Sequence, residues 1–259
     1  MNPSISLLCR LFLCCLLLTG LTYPLAAAEV RVAAAANFAT ALRELTPLFE
    51  VQTGHRVVLS LGATGLLYAQ ISHGAPYDVF LAADATTPRQ LIDAGRAVPE
   101  SYFIYARGRL VLWSRQADYV DGDGQVLSHG TFSRLAVANP QTAPYGAAAY
   151  ETMTALGVLN KLRGKLITGE NIAQTLQFVH SGNVPLGFVG LAQVRALPPA
   201  ERGSHWLVPA SYHQPIRQAA VLLNTARERT AAESFLAFLR SPEAAQMLER
   251  LGYEPEPGH

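Results

Sequence analysis

The sequence predicts an α/β protein of two lobes with a ligand cleft between them. Apolar strands alternate with amphipathic helices, a polar and glycine-rich stretch from Asp118 to Gly130 interrupts the alternation, and 259 residues suffice for two modest cores. The chain changes character near Arg107 to Arg109 and again near Gln214 to Gln218, which indicates two hinge crossovers. The predicted lobes are lobe I at residues 29–109 with 218–259, and lobe II at residues 110–217.

The first 28 residues predict a cleaved signal peptide. A lone Arg10 precedes an apolar run from Leu11 to Leu18, and Ala26 and Ala28 fit the A-x-A pattern of a cleavage site. The run is shorter than the roughly 20 residues of a membrane-spanning helix, which favours removal over a membrane anchor. We therefore expect a soluble protein that is exported to the periplasm and is not embedded in a membrane.

Cysteine content and net charge limit the kinds of site and the kinds of partner expected for the mature chain. All three cysteines, at positions 9, 14 and 15, lie in the predicted signal peptide, so neither a disulfide nor a thiolate metal site is expected. The chain has 20 Lys and Arg against 19 Asp and Glu, and loss of Arg10 leaves 19 against 19. A net charge near zero makes nucleic acid and anionic membranes poor partners.

The alternation begins in the stretch from Glu29 to Gly54. Its valines and alanines predict a strand covered on both faces, and apolar residues from Phe38 to Phe49 recur at helical spacing. Asn37 is predicted to be the N-cap of this helix, and Gly54 its C-terminal stop. The small alanines would let a ligand approach the unpaired N–H groups that open the helix.

The other elements follow in the same rhythm. Further strands are predicted at residues 55–61, 77–82, 110–114, 135–138, 165–168, 184–189 and 219–223. Further helices are predicted at residues 66–73, 87–94, 147–156, 172–180, 231–239 and 242–251. Thr64, in the turn after the second strand, is predicted to cap the helix that begins at Leu66.

Four of the strand-to-helix junctions could surround an anion. They are Ala36-Asn37, Gly62 to Gly65, Pro144-Tyr145-Gly146, and Gly169 to Ile172. Ligands of open α/β sheets bind beyond the carboxyl ends of strands, where helix N-termini offer N–H donors. Because the first two junctions have no carboxylate to accept a proton, the sequence favours a bare dianion over a protonated oxyanion.

Other kinds of site fit the sequence less well. If Gly124 is the invariant glycine of a calcium loop, Tyr119 takes the first ligand position and Gly130 the last. No two histidines have the spacing of metal ligands, so no direct metal site is expected. An exported enzyme acting on an anionic substrate would need a general base, for which Glu170 is the candidate. A carboxylate that complements a helix dipole explains Glu170 more simply.

Five segments carry a resemblance to a known family. They are VAAAANF at Val32–Phe38, SLGATGLLYAQISHGAPYDVFLAAD at Ser60–Asp84, NPQTAPYG at Asn139–Gly146, VPLGFVGLAQV at Val184–Val194 and FLRSPEAAQMLERLGY at Phe238–Tyr253. In this order they resemble the periplasmic molybdate-binding proteins of ABC importers, in the subgroup with asparagine in its first ligand loop. The resemblance implies a type II periplasmic binding protein, without cofactor or enzymatic activity. It also implies a monomer that closes on molybdate or tungstate and delivers it to a permease driven by an ATPase.

The resemblance also implies which residues hold the oxyanion. The implied donors are Ala36 through its backbone, the side chains of Asn37 and Thr64, and the amides of Tyr145 and Ile172. Many relatives add a tyrosine hydroxyl at the position of Gly190, which leaves open whether this chain has a fifth donor there. A binding protein for sulfate or another oxyanion is the alternative within the same fold.

Overall fold

The structure, a computed structural model, describes residues 27–256. It contains two mixed sheets of five strands each, with helices packed on them, which confirms the predicted α/β class with two lobes. The predicted signal peptide lies almost wholly outside the described residues. Within residues 27–256, no helix combines the length and the apolar character that crossing a bilayer requires.

The first sheet is built from both ends of the described chain. Its strands are β1 (Glu29–Ala35), β2 (Arg56–Gly62), β3 (Val79–Leu81), β4 (Phe103–Gly108) and β10 (Ile216–Leu222). Its helices are α1 (Ala39–Thr53), α2 (Thr64–Ser72), α3 (Thr86–Asp93), α9 (Arg229–Leu239) and α10 (Pro242–Leu251). The strand order is β2-β1-β3-β10-β4, with β1 parallel to β2 and β3, and β10 antiparallel to β3 and β4.

The second sheet uses the middle of the chain. Its strands are β5 (Leu110–Ser114), β6 (Leu135–Ala138), β7 (Leu166–Gly169), β8 (Gly187–Gly190) and β9 (Ser204–Leu207). Its helices are α4 (Val126–His129), α5 (Pro144–Ala155), α6 (Leu159–Leu162), α7 (Ile172–His180) and α8 (Leu191–Arg195). The strand order is β7-β6-β8-β5-β9, in which β6 is parallel to its neighbours and β5 is antiparallel to its own.

Each sheet buries apolar side chains on both faces, which explains why its central strands are continuous hydrophobic runs. On the first sheet, the rings of Phe49 and Phe235 meet edge to face with centroids 5.2 Å apart. In the second sheet, the buried indole of Trp113 donates to the carbonyl of Arg202 at 2.7 Å. Burial of this polar group is therefore compensated by a hydrogen bond.

The chain passes between the sheets twice. It leaves the first sheet through Arg109, between β4 and β5, and returns through residues 208–215, between β9 and β10. The C-terminal segment flanks the first crossover, since Arg107 and Glu254 exchange backbone hydrogen bonds of 2.8 and 2.9 Å. The predicted lobe boundaries at 109/110 and 217/218 stay a prediction.

The sequence missed two strands. Residues 103–108 form β4 although Arg107 and Gly108 give its end the polar character of a hinge, because β10 supplies an antiparallel partner. Residues 204–207 form β9 although the segment is short and half polar, because it pairs with β5. In both cases the pairing partner is distant in the chain, so the local pattern of apolar residues does not predict the strand.

Candidate functional site

A small cavity lies where four helices begin beyond the carboxyl ends of β1, β2, β6 and β7. The volume open to the centre of a water-sized sphere is about 10 Å³, roughly that of one such sphere, so the cavity is far too small for an organic ligand. Its lining residues are Ala35, Ala36, Asn37, Gly62, Ala63, Thr64, Ala83, Ala143, Pro144, Tyr145, Asn171 and Ile172. The structure therefore brings together all five residues that the resemblance implied, Ala36, Asn37, Thr64, Tyr145 and Ile172.

At the first junction, a turn of 3-10 helix from Ala36 to Phe38 separates β1 from α1. The prediction that Asn37 is an N-cap is wrong, because this turn places Ala35 at the cap and Asn37 inside the turn. The Asn37 side chain is 2% exposed and donates from Nδ2 to Gln218 Oε1 at 2.8 Å. An amide nitrogen carries two hydrogens, so a second N–H is left after this bond. The hydroxyls of Tyr145 and Tyr253 lie close to the Asn37 side chain and compete with a ligand for this N–H.

At the second junction, Thr64 is the first residue of α2 and Ala63 is the N-cap. The prediction that Thr64 caps this helix is therefore wrong, because the strand ends early enough for the helix to include it. Its buried hydroxyl instead accepts the backbone N–H of Ala83 at 3.1 Å. A hydroxyl that accepts in this way keeps its own proton for donation to a ligand.

The third junction leaves one free amide at the start of α5. The helix begins at Pro144, three residues before the predicted start, because proline is well suited to the first helical position. The amides of Gly146 and Ala147 both donate to the carbonyl of Ala143, at 2.8 and 3.1 Å. The amide of Tyr145 has no partner among residues 27–256 and is available to a ligand.

At the fourth junction, a capping side chain also leaves one backbone amide free. Asn171 is the N-cap of α7, and its Oδ1 accepts from the amides of Ala173 and Gln174, both at 3.0 Å. These bonds satisfy the second and third amides of the helix and leave that of Ile172 without a partner among residues 27–256. Asn171 was not predicted as a cap, although an asparagine immediately before an apolar helix is a typical N-cap.

The cavity has a positive potential without a cation. None of its lining residues is charged, whereas each helix start contributes roughly half a positive charge. Glu170, the candidate base of the enzyme alternative, is exposed and does not line the cavity. Burial, together with repulsion from Tyr253, raises the pKa of Tyr145 well above its ordinary value, so this nearby hydroxyl stays neutral.

A buried polar cluster lies next to the cavity and was missed by sequence reasoning. Gln218 accepts from the Tyr105 hydroxyl at 3.2 Å, and the Tyr253 hydroxyl donates to the backbone carbonyl of Asn37 at 2.9 Å. These residues come from β10, β4 and the C-terminal segment. No local pattern in the sequence connects them with Asn37.

The lobes touch at the cavity. The backbone N–H of Gly65 in α2 donates to the carbonyl of Thr142, in the loop before α5, at 2.9 Å. An added Cβ on Gly65 would lie 3.1 Å from Cα of Thr142, so the two backbones approach closely. The arrangement can enclose a small anion between donors of both lobes.

The chain is similar to known proteins over most of its length. The family described as bacterial extracellular solute-binding protein matches residues 30–254. The molybdate-binding protein ModA of Azotobacter vinelandii is 47% identical over 227 residues, covering 88% of this chain and 90% of that protein. The ModA protein of Rhodobacter capsulatus is 46% identical over 240 residues, covering 93% and 94%.

Solved structures agree as well. The periplasmic molybdate-binding protein of Azotobacter vinelandii aligns with a TM-score of 0.85 at 41% identity, covering 88% of this chain and 100% of that one. The sulfate-binding protein SubI of Mycobacterium tuberculosis H37Rv aligns with a TM-score of 0.78 at 14% identity, covering 89% and 88%. At that identity the second likeness shows the fold alone.

Proposed function

Because the chain belongs to the bacterial extracellular solute-binding proteins and, among them, to the molybdate-binding ModA proteins, we propose that it captures molybdate in the periplasm. It then delivers the ion to the permease and ATPase of an ABC importer. The observation that carries the proposal is the cavity where four helix starts converge without any charged side chain. The relatives confirm the resemblance that five sequence segments predicted, while the subgroup with asparagine in the first loop stays a prediction.

The donor set favours a small oxyanion that carries no proton. The donors proposed are the free N–H of Asn37, the hydroxyl of Thr64, and the amides of Ala36, Tyr145 and Ile172. A hydrogen bond to a charged group contributes on the order of 1.5–3 kcal/mol, so such a set can hold a dianion without a cation. The Thr64 hydroxyl already accepts a hydrogen bond from the amide of Ala83. The O–H of a protonated oxyanion would therefore find no acceptor there and would stay unpaired.

Size selects among the dianions. Molybdate and tungstate are nearly equal in size and charge, and both are larger than sulfate. Donors fixed on rigid helix starts of two lobes suit one ion radius, and hydrogen bonds to a smaller ion lengthen and weaken. We therefore propose that tungstate also binds and that sulfate, the ligand named for the structural neighbour SubI, binds less tightly.

The proposal describes a monomeric carrier and not an enzyme. Chemistry on a bound anion would need a general base or nucleophile in contact with it. The cavity is lined by backbone, methyl groups, two amide side chains, one hydroxyl and an un-ionised tyrosine. This donor set suits reversible capture and release, and no cofactor is part of the proposal.

Calorimetric titration of the mature chain tests the proposed ligand. We expect one molybdate per chain, tungstate with a similar affinity, and sulfate and phosphate weaker by more than about tenfold, or about 1.4 kcal/mol. Sulfate affinity within tenfold of molybdate affinity would contradict the choice of ligand. A chain that binds none of the four ions would refute the anion site as a whole.

Thr64→Val is expected to weaken molybdate binding by about ten- to a hundredfold, because it removes one charge-assisted hydrogen bond of roughly 1.5–3 kcal/mol. Thr64→Ser keeps the hydroxyl and should bind within a few fold of the parent. Thr152→Val is the matched control, since the Thr152 hydroxyl is also buried but donates to the Ala148 carbonyl, away from the cavity. If calorimetry gave Thr64→Val the affinity of the control, Thr64 would not contact the ion.

A further inference from the structure

Gln218 is the centre of the polar cluster beside the cavity. It is fully buried on β10, at a bulge between Gln218 and Ala219, and it does not line the cavity. Its Oε1 accepts from Nδ2 of Asn37 at 2.8 Å, and its Nε2 approaches the hydroxyl oxygen of Tyr145 at 3.4 Å. It therefore contacts one proposed ligand residue from each lobe.

We propose that Gln218 is a positioning residue of the anion site, which holds the Asn37 side chain with its N–H₂ end, and not its carbonyl end, toward the ion. This inference rests on the proposed function, because it assigns a role to Asn37 in anion binding. Gln218 lies outside the set of proposed ligand residues, and neither the lining of the cavity nor the family resemblance assigns it a role.

The need for positioning follows from the chemistry of an amide. The two ends of an asparagine side chain are nearly identical in shape, but one donates two hydrogen bonds and the other only accepts. Beside a dianion, the wrong end replaces an attractive contact by a repulsive one. Because Asn37 is only 2% exposed, bulk solvent has little access to select the orientation. A neighbouring protein group has to do so.

Gln218 can make this selection because its Oε1 accepts from two donors. Its Oε1 lies within hydrogen-bond distance of the Tyr105 hydroxyl as well as Asn37 Nδ2, at 3.2 and 2.8 Å. If the Gln218 amide were turned over, Nε2 would face the Nδ2 donor of Asn37. The bond from the Tyr105 hydroxyl, which also lies 3.1 Å from the carbonyl of Ala82, would be lost. Burial raises the pKa of Tyr105 well above its ordinary value, so its hydroxyl keeps its proton. The acceptor Oε1 of Gln218 thus favours the orientation in which Asn37 presents its N–H₂ end.

The main test is Gln218→Met, which keeps the length of the side chain but removes both polar ends. Measured by calorimetry, molybdate affinity is expected to fall by about ten- to a hundredfold, the equivalent of one lost charge-assisted hydrogen bond. In an Asn37→Ser background the same substitution should change affinity by less than about threefold, since a rotating hydroxyl has no wrong end. A purely structural role would give equal losses in both backgrounds.

A measurement on the parent chain keeps the inference testable if Gln218→Met does not fold. The two side-chain amide protons of Asn37 can be assigned by NMR through their loss in Asn37→Ser. On adding molybdate, one proton is expected to shift strongly, while the proton bonded to Gln218 shifts little. Equal shifts of both protons would overturn the inference.

The outcomes separate this inference from the proposed function. If the parent binds no molybdate, the proposed function fails. If the parent binds molybdate and Gln218→Met binds within about threefold of it, the positioning role fails and the function stands. Equal losses in the parent and Asn37→Ser backgrounds would likewise overturn the role. Thr152→Val controls for the general effect of removing a buried hydrogen bond.

Discussion

Asn37→Asp is expected to lower the affinity for molybdate at least about a thousandfold. The substitution replaces the proposed N–H donor to the ion by a carboxylate oxygen of nearly the same shape. Two unit charges about 4 Å apart at an effective dielectric near 20 repel by roughly 4 kcal/mol. The lost hydrogen bond adds roughly 1.5–3 kcal/mol. This total leaves room for relaxation above the roughly 4.2 kcal/mol that a thousandfold loss requires.

The Asp variant should still fold. Asn37 does not cap a helix, so no capping bond is lost. The bond from the Tyr253 hydroxyl goes to the backbone carbonyl of residue 37 and does not depend on the side chain. Gln218 can turn its amide so that Nε2 donates to the new carboxylate. A buried carboxylate nevertheless costs stability, so we expect a lower melting temperature with a cooperative transition.

The pH dependence distinguishes charge from shape. Burial and a bound dianion both raise the pKa of a carboxyl group, and only its protonated form can donate to the ion. Binding by Asn37→Asp should therefore strengthen as the pH falls from 8 to 6, while Asn37→Ser, which keeps a donor, shows no such trend and loses far less affinity. Calorimetry at three pH values measures both. An Asp variant within tenfold of the parent would mean that the first junction is not the anion site.

The sequence predicted those parts of the site that depend on local patterns. Strand-to-helix junctions are recognisable because periodicity changes from two to 3.6 residues, and all four junctions at the cavity were predicted. The helix start at Pro144 and the cap at Asn171 were not. The resemblance then selected the five residues that line the cavity. That these residues bind the ion stays a prediction.

The parts that were missed or wrong depend on tertiary structure or on single-residue boundaries. Asn37 and Thr64 were predicted to be N-caps, but the caps lie one or two residues before them, at Ala35 and Ala63. Because of this shift, neither side chain caps its helix. Gln218 contacts Asn37 across 181 residues of sequence. Strand β4, which pairs with the strand that carries Gln218, was not predicted. The sequence therefore did not indicate that Gln218 lies beside the cavity.

Gly108→Ala is expected to weaken molybdate binding at least about a hundredfold by preventing the lobes from closing. Gly108 ends β4 at the first crossover, and its backbone is outside the left-handed region, so alanine is not strained there by itself. A Cβ at this position would overlap the Tyr145 hydroxyl and lie 2.9 Å from Nε2 of Gln218. Tyr145 would have to withdraw, and the helix start that carries its amide would move with it.

Closure explains the size of this effect. Donors from both lobes reach one ion only when the cleft is shut, and the ion favours the state in which it makes more contacts. Withdrawal of Tyr145 and Ile172 would remove two charge-assisted hydrogen bonds, or roughly 3–6 kcal/mol. The parent should contract on binding molybdate, measured as a smaller radius of gyration by solution scattering. Gly108→Ala should stay extended.

Two further variants show whether the overlap with Tyr145 is the cause. Gly164→Ala is the matched control, because a Cβ there meets no atom within 4 Å and its φ is also not positive; it should bind and contract as the parent does. Adding Tyr145→Phe to Gly108→Ala removes the closest atom and should restore part of the affinity. The recovery is partial because the ring carbon Cζ still lies 2.7 Å from the added Cβ. If Gly108→Ala instead bound within tenfold of the parent and contracted equally, closure would not depend on the position of the Tyr145 hydroxyl beside Gly108.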